Sequence, residues 1–501
     1  MISICILNMN RLDTLKRTFS ILNELDIENE ILVFDQNSTD GSVEFLNKQK
    51  NVKLFLSDKN IGNSISRNKM IQACKYDYIL LLDSDIVPIH KSVESLYLFM
   101  IENPQYSFVG YDYESCSNIE NKITEVELGI KQEDVVSGIR IALTQYGIFR
   151  KSDLLQCPFP EFEPFNKEGW GAEDDLVGMT IHDNNIGLTG KIKGRVYYHD
   201  YQKSSWQFID DEVERLYALR YIVYKYFDLF LTPIQKKQLL QSKELPTVKL
   251  DLAKYHWEDG YNFGDIATDW VWNKYFPFFE LTVDSENLLF FGGSIIEHYP
   301  NAKRKYNREF KKIIMFGVGV WSDSYMLPSI EFELYPRGFE TGKSLRRNGL
   351  KTKKTVGDVL QLLSLLPYKQ SRKTSILSIQ DVFKKIETPK TENRVRVSQH
   401  NPWFEHPAPY VNLSDFLESV SDYSGIVSSQ IHPFLYYISS GKSATLIEKD
   451  LRAKDLLYFS NLRFDSDDTA SMNCRKEMHN NIPKMIDTLF GMLHIFINKK
   501  G

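Results

Sequence analysis

The stretch Tyr78-Ile79-Leu80-Leu81-Leu82-Asp83-Ser84-Asp85 constrains this chain more than any other. A continuous apolar run reads as a strand buried on both faces, the pattern of a parallel sheet. The run ends abruptly in two carboxylates that flank a serine. In open α/β sheets, ligands collect beyond the carboxyl ends of the strands. Asp83 and Asp85 are therefore delivered to the place where a ligand should sit. Hard oxygen ligands there suit Mg²⁺ or Mn²⁺, either of which can grip a diphosphate. An Asp-x-Asp triplet by itself recurs by chance among 66 acidic residues, and an ordinary strand-end turn would also explain it. Its place at the tip of a buried strand favours the metal–diphosphate reading.

The 501 residues leave room for two or more domains. A hydrophobic content of 42% suffices for proper cores and excludes wholesale disorder. The net charge of −5 gives no general attraction to nucleic acid, and no nucleic-acid-binding module is recognisable. Cys5, Cys74, Cys116, Cys157 and Cys474 are scattered, which points to a reduced protein rather than to a disulfide or zinc framework. Met1 to Leu7 is apolar but has no basic lead and runs into polar Asn8 to Arg11, so it reads as a first strand and not as a signal peptide. No apolar stretch approaches the roughly 20 residues of a membrane span. The expected location is cytoplasmic, with a peripheral position at the inner face of a membrane as the alternative.

Strand and helix patterns alternate up to the Asp-x-Asp strand. Ile2–Leu7 reads as a strand, and Leu12, Leu15, Phe19, Leu22 and Leu25 have helical spacing. Glu30–Phe34 is a second strand, followed by the turn-rich Asp35-Gln36-Asn37-Ser38-Thr39-Asp40-Gly41-Ser42. After a third strand at 51–56, Asn60-Ile61-Gly62 and Ser66-Arg67-Asn68 open another helix. This alternation predicts an α/β fold built on a mostly parallel sheet. Asn10-Arg11, Asp35 to Ser42, Asn60-Ile61-Gly62 with Arg67-Asn68, and Asp83-Ser84-Asp85 together resemble glycosyltransferase family 2, whose members have the GT-A nucleotide-sugar fold. The resemblance covers residues 1–205. It implies that Asp35 contacts the base or ribose of the donor and that Arg67 lies near its base or diphosphate. It implies further that Asp83 contacts the ribose or a metal-bound water, and that Asp85 binds Mn²⁺ or Mg²⁺. Asp35 and Asp40 are also residues that build turns through their own side chains, and for Asp40 that reading is preferred.

A second stretch, Phe165-Asn166-Lys167-Glu168-Gly169-Trp170-Gly171-Ala172-Glu173-Asp174-Asp175, carries the acceptor side. The glycines let backbone bend closely around a ligand, and Trp170 offers a face for a sugar ring. Three consecutive acids then start a helix, where the dipole favours negative charge. An acidic helix start explains the acids but not the Gly-Trp-Gly lead-in. The stretch resembles the Gly-Trp-Gly-x-Glu-Asp motif of galactosyltransferase-like family members, which implies acceptor contact by Glu173 and a general base at Asp174. A sugar hydroxyl must lose its proton as it attacks, and a placed carboxylate contributes about 10²–10⁴-fold. One base opposite the leaving group predicts single displacement with inversion. His199 ends a short strand, Val196 to His199, and by analogy with GT-A enzymes it completes the metal shell or else is structural.

Residues 206–246 read as a helical connector, and a fresh strand–helix pattern fills 247–501. Asn262-Phe263-Gly264-Asp265, the glycine-ended strands at 288–294 and 313–319, Pro336-Arg337-Gly338, and Gln430-Ile431-His432-Pro433 resemble polysaccharide pyruvyl transferases, whose two-lobed fold is Rossmann-like and of the GT-B kind. The resemblance implies that Asn262, Asp265, Arg337 and His432 belong to a second site, with Arg337 and His432 facing an anionic donor such as phosphoenolpyruvate. The family's usual Arg-Leu-His-Gly is replaced here by Gln430-Ile431-His432-Pro433, which removes a bidentate partner for carboxylate or phosphate. The expected whole is an enzyme moving a sugar from a nucleotide donor, UDP-linked by preference, to a glycan acceptor in surface-polysaccharide synthesis. Its C-terminal part is either a second transferase or a non-catalytic binding or assembly module.

Overall fold

The computed structural model describes residues 1–111, 116–117, 129–161, 172–192, 197–199, 212–242, 246–255, 263–293, 299–320, 329–366, 376–381, 393–397, 421–429, 431–447, 451–456, 458–460 and 462–497. The chain divides into two compact units, Met1–Asp210 with Tyr226–Pro246, and Asp211–Lys225 with Thr247–Gly501.

The first unit begins with the expected alternation: β1 (Ile2–Asn8), α1 (Leu12–Leu22), β2 (Asn29–Gln36), α2 (Ser42–Leu46), β3 (Val52–Ser57), α3 (Asn63–Ala73) and β4 (Tyr78–Asp83). It continues with β5 (Ile86–Pro88), α4 (Ser92–Glu102), β6 (Tyr106–Tyr111), β7 (Cys116–Ser117), β8 (Val135–Ser137), β9 (Tyr146–Arg150), α5 (Lys151–Gln156), α6 (Glu173–Asp183), β10 (Leu188–Ile192) and β11 (Tyr197–His199). An eight-stranded sheet runs in the order β3-β2-β1-β4-β9-β6-β10-β8. β1 is parallel to both β2 and β4, with Asn8 in register with Asp35 and Leu7 with Asp83. The carboxyl ends of these three strands therefore form one edge. Ile79, Leu80, Leu81 and Leu82 are all buried, as the apolar run required.

The sheet is mixed rather than purely parallel. β9 runs antiparallel to both β4 and β6, and β8 runs antiparallel to β10. Close backbone approach lets β9 pass through the middle: a Cβ on Gly147 would meet the Leu143 carbonyl at 2.5 Å, and one on Gly110 would meet the Tyr146 carbonyl at 2.9 Å. Glycine is needed at both points for lack of room. β5, β11 and β7 form a small separate sheet in which His199 pairs with Ile86.

α7 (Glu212–Phe230) and α8 (Pro233–Gln241) occupy the expected connector, and the division between units falls inside α7. α8 begins with a capping box: Thr232 Oγ1 accepts from the Gln235 N–H, while Gln235 Oε1 accepts from the Thr232 N–H. α8 and the end of α7 are tied to α6 by charge. Asp183 at the end of α6 receives Arg140 (2.7 Å) and Lys236 (2.5 Å), and Arg140 also reaches Asp228 at 2.8 Å.

The second unit contains a parallel four-stranded sheet made from Ala253–Tyr255, Asn287–Phe291, Lys312–Val318 and Glu331–Pro336, paired in that order. A five-stranded sheet, parallel apart from its last strand at Asp465–Ser466, includes Gly425–Ser428 and Ser443–Leu446. A long helix runs from Asp468 to Leu493. Ile482, Ile486, Leu489, Phe490 and Leu493 on that helix are fully buried, so it is docked into this unit's core. Among the described residues, no helix is long and apolar enough to cross a membrane.

Candidate active site

At the carboxyl edge of β1, β2 and β4 the side chains sort into two groups. The first surrounds Asp35, which is 1% exposed. Its Oδ1 accepts from the Ser38 N–H at 2.8 Å, and its Oδ2 accepts from Asn8 Nδ2 and Ser38 Oγ, both at 2.7 Å. Asp35 thus builds the turn after β2 in this structure. Asp40 does the same one step on, accepting from the Leu12 and Ser42 N–H groups at 2.8 and 3.0 Å and starting both α1 and α2. Burial alone would raise the Asp40 carboxyl, but the Ser42 hydroxyl, donating at 2.6 Å, and these backbone bonds hold it below its usual range.

The second group joins β4 to α6. Arg67 on α3 donates from Nη2 to Asp83 Oδ1 at 3.0 Å and from Nη1 to Glu173 Oε1 at 3.1 Å. Glu173 is the first residue of α6, and Asp174 follows it. One buried guanidinium therefore bridges the two acidic motifs, which are far apart in sequence. Scarce solvation and the neighbouring Asp85 and Glu173 push the Asp83 carboxyl up to about 6, while Arg67 pulls it down. The Asp83 side chain keeps 33% of its exposure, so water moderates the effect. Arg67 is itself buried, yet Asp83, Glu173 and Asp174 hold its pKa above the usual value.

Several further residues position these groups, some inside the motif stretches and some, such as Phe159 and Gly178, outside them. Gln36 Oε1 accepts from the N–H groups of Ile61 (2.9 Å) and Gly62 (3.1 Å), fixing the entry to α3. Gly62 has φ of +87°, a conformation that L side chains resist. Asn68 bonds both backbone groups of Phe159, and Phe159 lies beside the Arg67 guanidinium at 5.3 Å. The Asp174 carbonyl accepts from the Ala142 N–H at 3.0 Å, and Gly178 presses α6 directly onto Ile141 and Ala142. Ala172, just before α6, holds φ at +71°, an uncommon state for a residue with a Cβ. Close approaches of this kind leave no periodic signal; only the glycines could have hinted at them.

Glu173 and Asp174 are half-buried, and Asp174 Oδ1 accepts from the Asp175 N–H at 3.0 Å. Asp85 is half-buried beyond the end of β4. Trp170 and Asn262 lie outside the described residues, as do the side chains of His199 and Asp265. The backbone register nevertheless puts His199 beside Ile86, the residue after Asp85. Among the described residues, no group of three or more His, Cys, Asp or Glu is assembled to hold a metal ion.

In the second unit, Arg337 is 1% exposed and enclosed by protein. Its Nη1 donates to Asp358 at 3.1 Å, and Asp455 lies 4.0 Å from its Nε. Asp455 in turn accepts from the Thr341 N–H at 3.0 Å. His432 is half-buried in the first turn of the helix Ile431–Ser439.

Residues 3–154 match the sequence family described as Glycosyl transferase family 2. The Staphylococcus aureus (strain N315) protein named poly(ribitol-phosphate) beta-N-acetylglucosaminyltransferase TarP is 25% identical over 249 residues, 47% of this chain and 74% of its own length. The chain is a glycosyltransferase. An uncharacterized glycosyltransferase of Haemophilus influenzae is 33% identical to it over 103 residues, 20% of this chain and 38% of that protein. The crystal structure of S. aureus TarS 1-349 in complex with UDP-GlcNAc aligns over 48% of the glycosyltransferase and 70% of that chain, at 18% identity and a TM-score of 0.34.

Proposed function

We propose that the first unit transfers a sugar from a UDP-linked donor to a glycan hydroxyl in surface-polysaccharide synthesis, in one displacement with inversion at the anomeric carbon. The observation that carries this reading is the Arg67 bridge, which joins Asp83 at the end of β4 to Glu173 at the start of α6. Asp83 and Asp85 take the donor side, and Asp35 on the same sheet edge braces the turn after β2 beside them. Glu173 accepts hydrogen bonds from the acceptor, with Trp170 as the surface for its ring. Asp174 receives the proton of the attacking hydroxyl as the new C1–O bond forms and the bond from C1 to the diphosphate breaks. The base must act in step with the attack, because a neutral hydroxyl is a poor nucleophile.

The donor set fits Mg²⁺ or Mn²⁺. Asp83 and Asp85 are hard oxygen ligands, and Arg67 already occupies one Asp83 oxygen, which leaves Asp85 as the principal ligand and His199 as a further one. Such an ion, when bound, supplies positive charge against the leaving diphosphate.

The similarity to a protein named for N-acetylglucosamine transfer to poly(ribitol-phosphate) makes UDP-N-acetylglucosamine the first donor to test. Nucleotide sugars should be screened for thermal stabilisation with and without Mn²⁺, since ligand binding raises apparent stability. The selected donor should then be turned over with glycan acceptors and the product anomer assigned by NMR. Retained anomeric configuration, or stabilisation by no sugar nucleotide, would refute the reading. We place the enzyme in the cytoplasm, with attachment at the inner membrane face as the alternative.

For the second unit, the enclosure of Arg337 by two carboxylates favours a module that holds acceptor or partner. An incoming anion would have to reach a guanidinium that is 1% exposed and share it with the Asp358 carboxylate, which repels a second negative charge. Consumption of phosphoenolpyruvate by the full chain with a glycan acceptor would reverse this preference and make the enzyme bifunctional.

A further inference from the structure

We infer that Arg67 is a positioning residue that couples the two half-sites, holding the start of α6 against the end of β4, and is not a ligand of the donor. The inference rests on the roles proposed above for Asp83 and Glu173. Arg67 is 4% exposed, and both terminal nitrogens are committed, to Asp83 at 3.0 Å and to Glu173 at 3.1 Å. Its planar fork can reach two carboxylates that point at it from different elements. The ring of Phe159 closes another side, 5.3 Å from Cζ. That ring is no accident of packing. Asn68, the next residue on α3, accepts from the Phe159 N–H at 2.9 Å and donates to the Phe159 carbonyl at 2.8 Å. α3 thus supplies the cation and also fastens the wall that confines it.

Charge explains why a cation is needed there. Asp83, Asp85, Glu173 and Asp174 all act on this region: Asp85 and Glu173 each disfavour the charged form of Asp83, while Asp83, Glu173 and Asp174 each favour the charged form of Arg67. Without a positive centre, like charges would push the base-bearing helix away from the donor strand.

Two variants separate coupling from donor binding. Lysine keeps the charge but, as a point charge on a flexible stem, cannot hold both carboxylates in one geometry. With UDP-N-acetylglucosamine as donor, Arg67→Lys should lower kcat by about tenfold or more and leave donor KM within about threefold of wild type. A donor KM raised about tenfold with kcat retained would overturn the inference, because it is the signature of a lost ground-state contact. The second test needs no turnover. Arg67→Met, Glu173→Gln and the double variant are compared by equilibrium unfolding. Removing the cation strands Glu173, so the double variant should be no less stable than Arg67→Met alone. Strictly additive losses would show that the two side chains do not act together. If wild-type protein turns over no sugar nucleotide, the proposed function fails, and the unfolding cycle still decides for or against the coupling.

Discussion

Gly178→Ala tests how firmly α6 is seated. Alanine in mid-helix ordinarily stabilises by about 1 kcal/mol relative to glycine. At this position the added Cβ would stand 2.5 Å from the Ala142 nitrogen, 2.6 Å from the Ile141 carbonyl carbon and 2.7 Å from the Ile141 Cα. All three are backbone atoms and cannot rotate aside. Favourable contact begins near about 3.5 Å, so α6 and the 141–142 segment must part by roughly 1 Å. Overpacking of this order costs about 1–3 kcal/mol. Set against the propensity gain, the net loss is up to about 2 kcal/mol. The Asp174 carbonyl bond to the Ala142 N–H, now 3.0 Å, lies one helical turn away and would lengthen with the same movement. Activity should suffer more than stability, because a misplacement of about 1 Å can cost about 10²-fold in rate. Urea unfolding gives the first quantity, and release of nucleoside diphosphate gives the second. A variant more stable than wild type with unchanged kcat would refute the argument that Gly178 sets the position of the base.

Asp174→Asn retains an oxygen for the Asp175 N–H, so the fold should hold, while kcat falls by about 10²–10⁴-fold with donor binding preserved in calorimetry; near-normal turnover would remove Asp174 as the base. Asp85→Ala should abolish Mn²⁺-dependent thermal stabilisation by UDP-N-acetylglucosamine, and unchanged stabilisation would move the ion elsewhere. The Asp83 carboxyl is pushed from 3.8 up to about 6, so the fold favours its protonated form: that contribution is complete below pH 3.8 and is lost as pH rises through about 6. Donor binding that uses the carboxylate has the opposite slope, and affinity should fall by up to about tenfold per unit below pH ~6; a flat profile would exclude Asp83 from donor binding. Burial alone would raise Asp183, but hydrogen bonds from Arg140, Lys236 and His182 hold it down to about 2. Its stabilisation is full above pH 3.8 and is lost as pH falls toward 2, so Asp183→Asn should cost about 2 kcal/mol at neutral pH and flatten acid unfolding in that window; equal stability of the variant would show the network to be idle.

The proposed donor half of the site was the more legible in the sequence, for a local reason. A strand buried on both faces must be apolar along its length, so Tyr78 to Leu82 announced β4, and the first acids after it marked the strand's tip. The same holds for β1 and β2, whose apolar runs end at Asn8 and Asp35. The acidic start of α6 was also readable, because Glu173, Asp174 and Asp175 are adjacent. The antiparallel passage of β9 through the sheet was not readable. Its residues, Tyr146 to Arg150, are as apolar as those of a parallel strand, and direction leaves no mark in that pattern. The actual bonding of Asp35 was likewise hidden, since a carboxylate that builds a turn and one that awaits a ligand look alike until partners such as Ser38 and Asn8 are in place.

What the sequence determined by itself was the α/β alternation, the edge at which the acids gather and the kind of chemistry they suit, because each depends on residues within one element or its adjoining turn. What the tertiary structure decided was which acids meet. Asp83 and Glu173 share Arg67 only because α3, β4 and α6 converge, with Gly178 letting α6 settle against the backbone at Ile141 and Ala142. Ion pairs and close approaches between elements act over a few ångströms of space, and separation along the chain does not encode them.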